Sequence, residues 1–257
     1  MIDYSIYKKK YDIFEGMTSI SSIISAILEG TSKRHIVKIL YNIDKSKSKY
    51  NELRFLKIKS EELNFDLEGV PHTSIDELAS GKTHGGIIAI CDKLDIPSLN
   101  SIDQIKDDGF YIILDGIEDP FNFAYAIRSV YAAGADGIIV PSFRFKDSQG
   151  LISKGSAGTS ELINIFECEV DCAIDIFKNK GYKVASAGIR NSVSLYDADL
   201  KKPLLLIIGG EKRGISSDIL LKSDVIVRVD YGKTFKGSLT ASSAATVLAF
   251  EVYRQNR

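Results

Sequence analysis

The chain has 257 residues, 44% of them hydrophobic, enough for one large or two modest domains. Its 33 basic and 34 acidic residues leave a net charge of -1, so the total marks no nucleic-acid binder and any basic surface must be local. No apolar run reaches the roughly 18 residues of a membrane span, and the start MIDYSIYKKKYDIFEG has no signal-peptide core, so a cytoplasmic protein away from membranes is expected.

In chain order, TSISSIISAILEG sets Ile20, Ile23, Ile24, Ile27 and Leu28 at helical spacing, with Gly30 as a stop. HIVKILYN follows as a strand and KYNELRFLKIKSEELN as a helix with a polar face. SIDELASG reads as a short helix with a capping box from Ser74 to Glu77, and GGIIAICD as a buried strand. These elements make a small α/β domain over 1–95. Basic residues gather in it, among them Lys8, Lys33, Arg34, Lys45, Lys47 and Arg54. Ordinary solvated faces and a surface for a phosphate backbone are both open readings.

Residues 96–109 are polar, with scattered acids, and read as a linker. Beyond them FYIILDG, DGIIVP, YKVASAGI, PLLLIIGG and SDVIVRV are apolar runs with little alternation, as expected of parallel strands buried on both faces. Helical stretches alternate with them: FNFAYAIRSVYAAG, LISKGSAG, CAIDIFKNKG, ISSDILLK and SLTASSAATVLAFEVYRQ. The pattern predicts an α/β domain with a parallel sheet over 110–257. Cys91, Cys168 and Cys172 form no disulfide framework, and with no His near them they read as thiols in a reducing compartment, with no metal expected.

Ligands of open parallel sheets bind at the C-terminal ends of the strands. Three such ends carry unusual residues. In LDGIEDPFNFAYAIRSV, Asp119-Pro120 turns the chain, Asn122 could cap the next helix, and Arg128 stands among small apolar residues. An arginine there is either a stem laid along the surface or a charge kept for a partner. In IIGGEKRGIS, Gly209 and Gly214 have P-loop spacing, but Ile215-Ser216 stands where the lysine should follow, which excludes a nucleotide-phosphate cradle. In VRVDYGKTFKGSLTASSAATVLAF, two lysines lie between Gly232 and Gly237, and Ser238 opens a helix of small residues.

Taken together, the three stretches resemble the SpoU (TrmH-like) branch of the SPOUT RNA methyltransferases. Asn122, Arg128 and AAGADGIIVP look like its first motif, KGSAGTSEL its Ser-Ala-Gly segment, IIGGEKRGIS its second motif, and VRVDYGKTFKGSLTASSAA, more loosely, its third. FEGMTSISSIISAILEG and GKTHGGIIAI resemble, more weakly, the L30e-like RNA-binding domain that precedes many members. The resemblance implies a trefoil knot, a homodimer with the active site at the subunit interface, and S-adenosylmethionine bound by main chain near Gly209, Gly210, Val229 and Leu239. It implies catalytic roles for Arg128, Asn122, Glu211, Ser238 and Thr240, and RNA contacts from Lys33, Arg34, Lys233 and Lys236. The activity implied is 2'-O-ribose methylation of RNA, ribosomal before transfer RNA. A non-catalytic RNA-binding or assembly protein and a ribosome-protecting methyltransferase are the alternatives.

Three departures stand out. Thr240 replaces the asparagine of the Ser-Leu-Asn triplet and loses its amide. Val229-Asp230-Tyr231 replaces an Ile-Pro-Met run. Gly85 replaces the glutamine beside His84.

Overall fold

In the computed structural model, residues 4–210, 213–234 and 236–257 are described, the side chains of residues 4–6 excepted. The chain divides into two compact units, one of Met1–Asp95 with Phe145–Leu162, the other of Ile96–Arg144 with Ile163–Arg257.

The first unit begins with α1 (Tyr4–Lys10), β1 (Tyr11–Glu15), α2 (Gly16–Leu28) and β2 (Ile36–Asn42). It continues with α3 (Tyr50–Leu63), β3 (Asp66–Val70), α4 (His72–Leu78) and β4 (Ile87–Asp92). The sheet order is β1-β4-β2-β3, with only β2 and β3 parallel. The apolar stripe of α2, Ile20, Ile23 and Ile24, is buried with Phe14, Ile39, Leu56 and Ile87, as its spacing predicted. The capping box from Ser74 does not form. Pro71 holds the N-cap position of α4, and its fixed φ starts the helix without a side-chain bond.

The second unit opens with β5 (Phe110–Asp115), α5 (Pro120–Ala132) and β6 (Gly137–Val140). The chain then makes α6 (Gln149–Gly155), which belongs to the first unit, and returns as β7 (Asn164–Glu167). After it come α7 (Val170–Asn179), β8 (Lys183–Ala187), β9 (Val193–Ser194), β10 (Leu204–Gly209), α8 (Ser217–Lys222), β11 (Val225–Arg228) and α9 (Ala241–Gln255). Seven strands in the order β7-β6-β5-β10-β8-β11-β9 form a wholly parallel sheet, the expected α/β architecture. Leu204 to Ile208 are all buried, which is why that strand reads as an unbroken apolar run. Tyr111, Phe177 and Tyr182 pack as an aromatic core, ring centres 4.9–6.0 Å apart. The Tyr182 hydroxyl donates to the Lys106 carbonyl (2.7 Å) and accepts the Gly109 N–H (2.9 Å), so the buried ring leaves no polar atom unpaired.

Residues 145–162, read from sequence as part of the second domain, are built into the first unit. Gly150 of α6 lies so close to β1 that a Cβ would stand 1.8 Å from the Ile13 carbonyl oxygen. The helix thus covers the edge strand of the four-stranded sheet. The Ser-Ala-Gly segment follows it. Ala157 and Gly158 both take positive φ, and a Cβ on Gly158 would be 2.1 Å from the Ser22 hydroxyl of α2. That glycine is required by packing.

Candidate functional site

The connection from β5 leads to β6 on one side of the sheet, while the connection from β10 leads to β11 on the other. β5 and β10 are neighbours, paired up to Asp115 and Gly209. Their C-terminal ends therefore mark the switch point where an open parallel sheet presents a ligand crevice. Every loop singled out in the sequence of this unit leaves the sheet on that same edge.

The glycines of the second motif are explained by close contact within the chain. A Cβ on Gly210 would lie 2.1 Å from the Gly116 carbonyl oxygen, and one on Gly209 would lie 2.5 Å from the Gly214 carbonyl carbon. The loop also closes on itself, with the Gly214 N–H donating to the Gly210 carbonyl at 3.0 Å. Their smallness lets two loops meet at the crevice floor, a role the sequence had given to contact with a ligand. Glu211, expected to be catalytic, lies outside the described residues. Half-buried Ile215, Val229 and Leu239 sit on the loops after β10, after β11 and before α9.

On α5, Asp119 is the N-cap, accepting the Asn122 N–H at 2.8 Å, with Pro120 at the first helical position. Asn122, expected to cap, is the third residue of the helix. Arg128 is exposed, and among the described residues none hydrogen-bonds or ion-pairs with its guanidinium. Phe121, Tyr125 and Tyr131 are exposed on the same helix. α5 packs against α9, whose small residues Ala241, Ala245 and Ala249 are buried, while Phe250 and Tyr253 remain exposed. The small residues thus serve a helix contact inside the chain.

α9 starts at Ala241, three residues later than the sequence suggests, because Thr240 is its cap. The Thr240 hydroxyl accepts the Ser243 N–H at 3.2 Å and lies 3.0 Å from the Ser242 and Ser243 hydroxyls. Ser238, Lys233 and Lys236 are exposed on the loop before it.

Two residues at this edge were missed. Asp115 ends β5, and burial raises its carboxyl above the usual range, Arg144 opposing the shift. Its signal was the acid closing the apolar run FYIILD. Tyr231 accepts the Leu239 N–H at 3.3 Å, a link across eight residues that no sequence pattern announces.

In the first unit, Lys33 is exposed but Arg34 is not available to RNA. It is only 4% exposed and lies against the Phe14 ring, 4.7 Å from its centre. Its guanidinium donates to Asp12 (2.9 Å), Glu161 (2.9 Å), Gln149 (2.6 Å) and the Asp92 carbonyl (3.0 Å). Burial raises both the Asp12 and the Glu161 carboxyls, with Arg34 opposing the shift. His72, Asp76 and His84 approach a ligand set, their candidate atoms within 4.8 Å of one another. However, His84 Nδ1 accepts the Gly86 N–H at 3.1 Å, so Nε2 carries the proton and donates to Asp76 at 2.9 Å. A metal-bound histidine needs the reverse, its outer nitrogen donating. The cluster is a carboxylate held between two imidazoles.

The geometry agrees with what known proteins share with this chain. The family model described as SpoU rRNA Methylase family matches residues 109–250. A Staphylococcus haemolyticus protein assigned to the TrmH family of tRNA/rRNA methyltransferases is 29% identical, over 89% of this chain and 86% of its own. The 23S rRNA (guanosine-2'-O-)-methyltransferase RlmB of Shewanella oneidensis is 30% identical, over 71% of this chain and 76% of its own. Among solved structures, the SpoU methyltransferase AviRb of Streptomyces viridochromogenes, in complex with AdoMet, superposes with a TM-score of 0.77 at 19% identity, covering 100% of this chain and 96% of that one. An AdoMet-bound rRNA methyltransferase of Sinorhizobium meliloti gives 0.76 at 20% identity, covering 96% and 88%. A parallel sheet with its crevice at the β5/β10 switch point, exposed Arg128 and the motifs around them thus converge: the chain belongs to the SpoU rRNA methylase family and is an S-adenosylmethionine-dependent RNA methyltransferase.

Proposed function

We propose that this protein methylates the 2'-hydroxyl of a ribose in ribosomal RNA, and that it does so as a homodimer with Arg128 beside the reacting oxygen. The observation that carries the reading is Arg128 itself: an exposed cation on a helix of the family's first motif, with no partner among the described residues. The likeness to a 23S rRNA guanosine-2'-O-methyltransferase supports both the 2'-O position and ribosomal RNA.

S-adenosylmethionine supplies a methyl group already activated on a sulfonium. The protein's task is to hold the ribose hydroxyl in line with it while the hydroxyl proton passes to water. A guanidinium stays protonated in water, so Arg128 acts by charge. It neutralises an adjacent phosphate and stabilises negative charge developing on the oxygen. Asn122 and Ser238 orient the arginine or the ribose. Val229, Leu239 and the chain at Gly209 and Gly210 hold the cofactor through main-chain groups in the knotted part of the domain.

The aromatic face of α5 and α9 supports the dimer. Phe121, Tyr125, Tyr131, Phe250 and Tyr253 are all more than a third exposed, an uneconomical surface unless covered. Covering it with a second copy takes Arg128 into the interface, where it can serve the partner's crevice. For RNA docking, an L30e-like role of the first unit is supported by the edge where β2 and β3 end. There Lys45, Lys47, Tyr50 and Arg54 are exposed, cations for phosphates beside a ring for a base. Lys33 is a further exposed cation of the first unit, and Lys233 and Lys236 are the second unit's own candidates for RNA contact.

The test is methyl transfer from labelled cofactor to ribosomal RNA from cells lacking the protein, with ribose methylation mapped by nucleotide. One new 2'-O-methyl site is expected. A methylated base in its place would end the 2'-O assignment, and cofactor binding without transfer to any RNA would favour the assembly protein. Light scattering of the purified protein reads the dimer, and a monomer that stays fully active would remove the interface from the mechanism.

A further inference from the structure

The stretch that stands in place of Ile-Pro-Met has bonding of its own. Arg228 ends β11 and donates through Nε to Asp230 at 2.8 Å and through a terminal nitrogen to the Ser192 carbonyl at 2.6 Å. Asp230 also bonds the Ser194 side chain, and these two contacts, Ser194 first, hold its carboxyl below the usual range. The first residues of the loop are therefore fixed to the neighbouring β9 segment. The next residue, Tyr231, is 40% exposed, and its hydroxyl accepts the Leu239 N–H at 3.3 Å. A methionine at position 231 could not close the loop this way, because a thioether sulfur is a weak acceptor.

The methyltransferase reading gives the main chain at Leu239 to S-adenosylmethionine, and the inference rests on that reading. An N–H points along one direction, and it cannot serve the Tyr231 oxygen and a cofactor acceptor at full strength together. We propose that Tyr231 is a positioning residue of the cofactor loop: its hydroxyl holds the Leu239 N–H in the free protein and must release it when S-adenosylmethionine binds. The latch keeps a loop of exposed residues, Gly232, Lys233 and Thr234 among them, from spreading before the cofactor arrives. It also sets a competition. The bond is long and close to solvent, so its release lowers cofactor affinity only modestly, on the order of two- to fivefold.

The experiment pairs wild type with Tyr231→Phe, which keeps the ring and removes only the hydroxyl. Hydrogen exchange at the Leu239 amide is followed in the free protein, and the affinity for S-adenosylmethionine is measured by calorimetry. The variant is expected to exchange that amide faster and to bind the cofactor about two- to fivefold more tightly, with an unchanged melting temperature. Tyr231→Met should match it in both readouts. Equal exchange rates, or equal or weaker affinity in Tyr231→Phe, would overturn the latch while leaving the methyltransferase reading intact. A wild-type protein that binds no S-adenosylmethionine overturns both.

Discussion

Arg34 of the first unit and Arg128 of the second unit are alike in sequence, each a single arginine close to an apolar run. The structure separates them completely. Arg34 is buried, with four acceptors around its guanidinium, and Arg128 is exposed without a described partner. What distinguishes them is the presence of buried carboxylates. Asp12 and Glu161 are buried with Arg34 paired to both, and Arg34 also donates to Gln149 of α6, the helix that covers the edge strand. Among the described residues Arg128 organises nothing around it, and its charge stands at the surface. One arginine maintains the fold of its unit, and the other is the one to which the proposed function gives the chemistry.

The largest expected effect would break the comparison on the Arg34 side. Arg34→Ala leaves two buried carboxylates without their cation, and loss of one partner from a buried pair costs about 3–5 kcal/mol. Chemical denaturation should show that loss, and chain that remains soluble should have lost structure in its first unit. A protein of near wild-type stability that binds RNA poorly would return Arg34 to the RNA contacts.

Next comes Arg128→Ala, which should lower methyl transfer about 100- to 1000-fold, as removing one charge-stabilising group from an active site does. Its melting temperature and cofactor affinity should stay within error of wild type. Arg128→Lys should not restore the rate, because an ammonium lacks the planar fork that meets a phosphate. Full activity of Arg128→Ala on the true RNA would remove it from the mechanism.

A smaller effect is the pH response of the Arg34 cluster. Burial raises the Asp12 and Glu161 carboxyls, so the folded state holds protons at a pH where the unfolded chain has lost them. Folded pKa values above unfolded ones mean that stability falls as pH rises through that window and recovers on acidification. Asp230, Asp199 and other exposed carboxylates are shifted down and act in the opposite sense, so the variant Glu161→Gln isolates the contribution. Wild type should gain stability relative to it as the pH falls from neutrality toward the ordinary carboxylate range, by at most about 1.4 kcal/mol per pH unit for one group. A difference that does not change with pH would mean that Glu161 stays ionised throughout.

Much of the second unit could be read from its residues, because strands buried on both faces leave unbroken apolar runs and the helices between them keep their stripes. β1 and β3 could not. Tyr11–Glu15 carries two acids in five residues, and Asp66–Val70 lies at the sheet edge with one fully buried side chain, so neither has the composition of a core strand. The assignment of α6 to the first unit was equally invisible, since nothing local says which sheet a connecting helix will cover. The crevice was legible as a set of motifs, and its glycines were legible as necessary but not as loop-to-loop contacts. Arg34 was misread because its partners are remote: Asp12, Gln149 and Glu161 lie 22, 115 and 127 residues away along the chain. A single sequence offers no signal for such a pairing.

Thr240 carries the smallest and most discriminating effect. Read as sequence, it is the departure that most favours a protein with weakened chemistry. In the structure its hydroxyl caps α9, a task that asparagine performs equally well. Thr240→Ala should therefore destabilise the protein by about 1 kcal/mol, the ordinary loss for an N-cap, seen as a lower denaturation midpoint. Thr240→Asn should keep both the midpoint and the methyl-transfer rate. Because the helix that Thr240 starts packs on α5, which carries Arg128, the two variants also separate support from contact. If Thr240→Asn holds stability but changes the rate or the choice of nucleotide, then Thr240 touches the RNA as well as the helix.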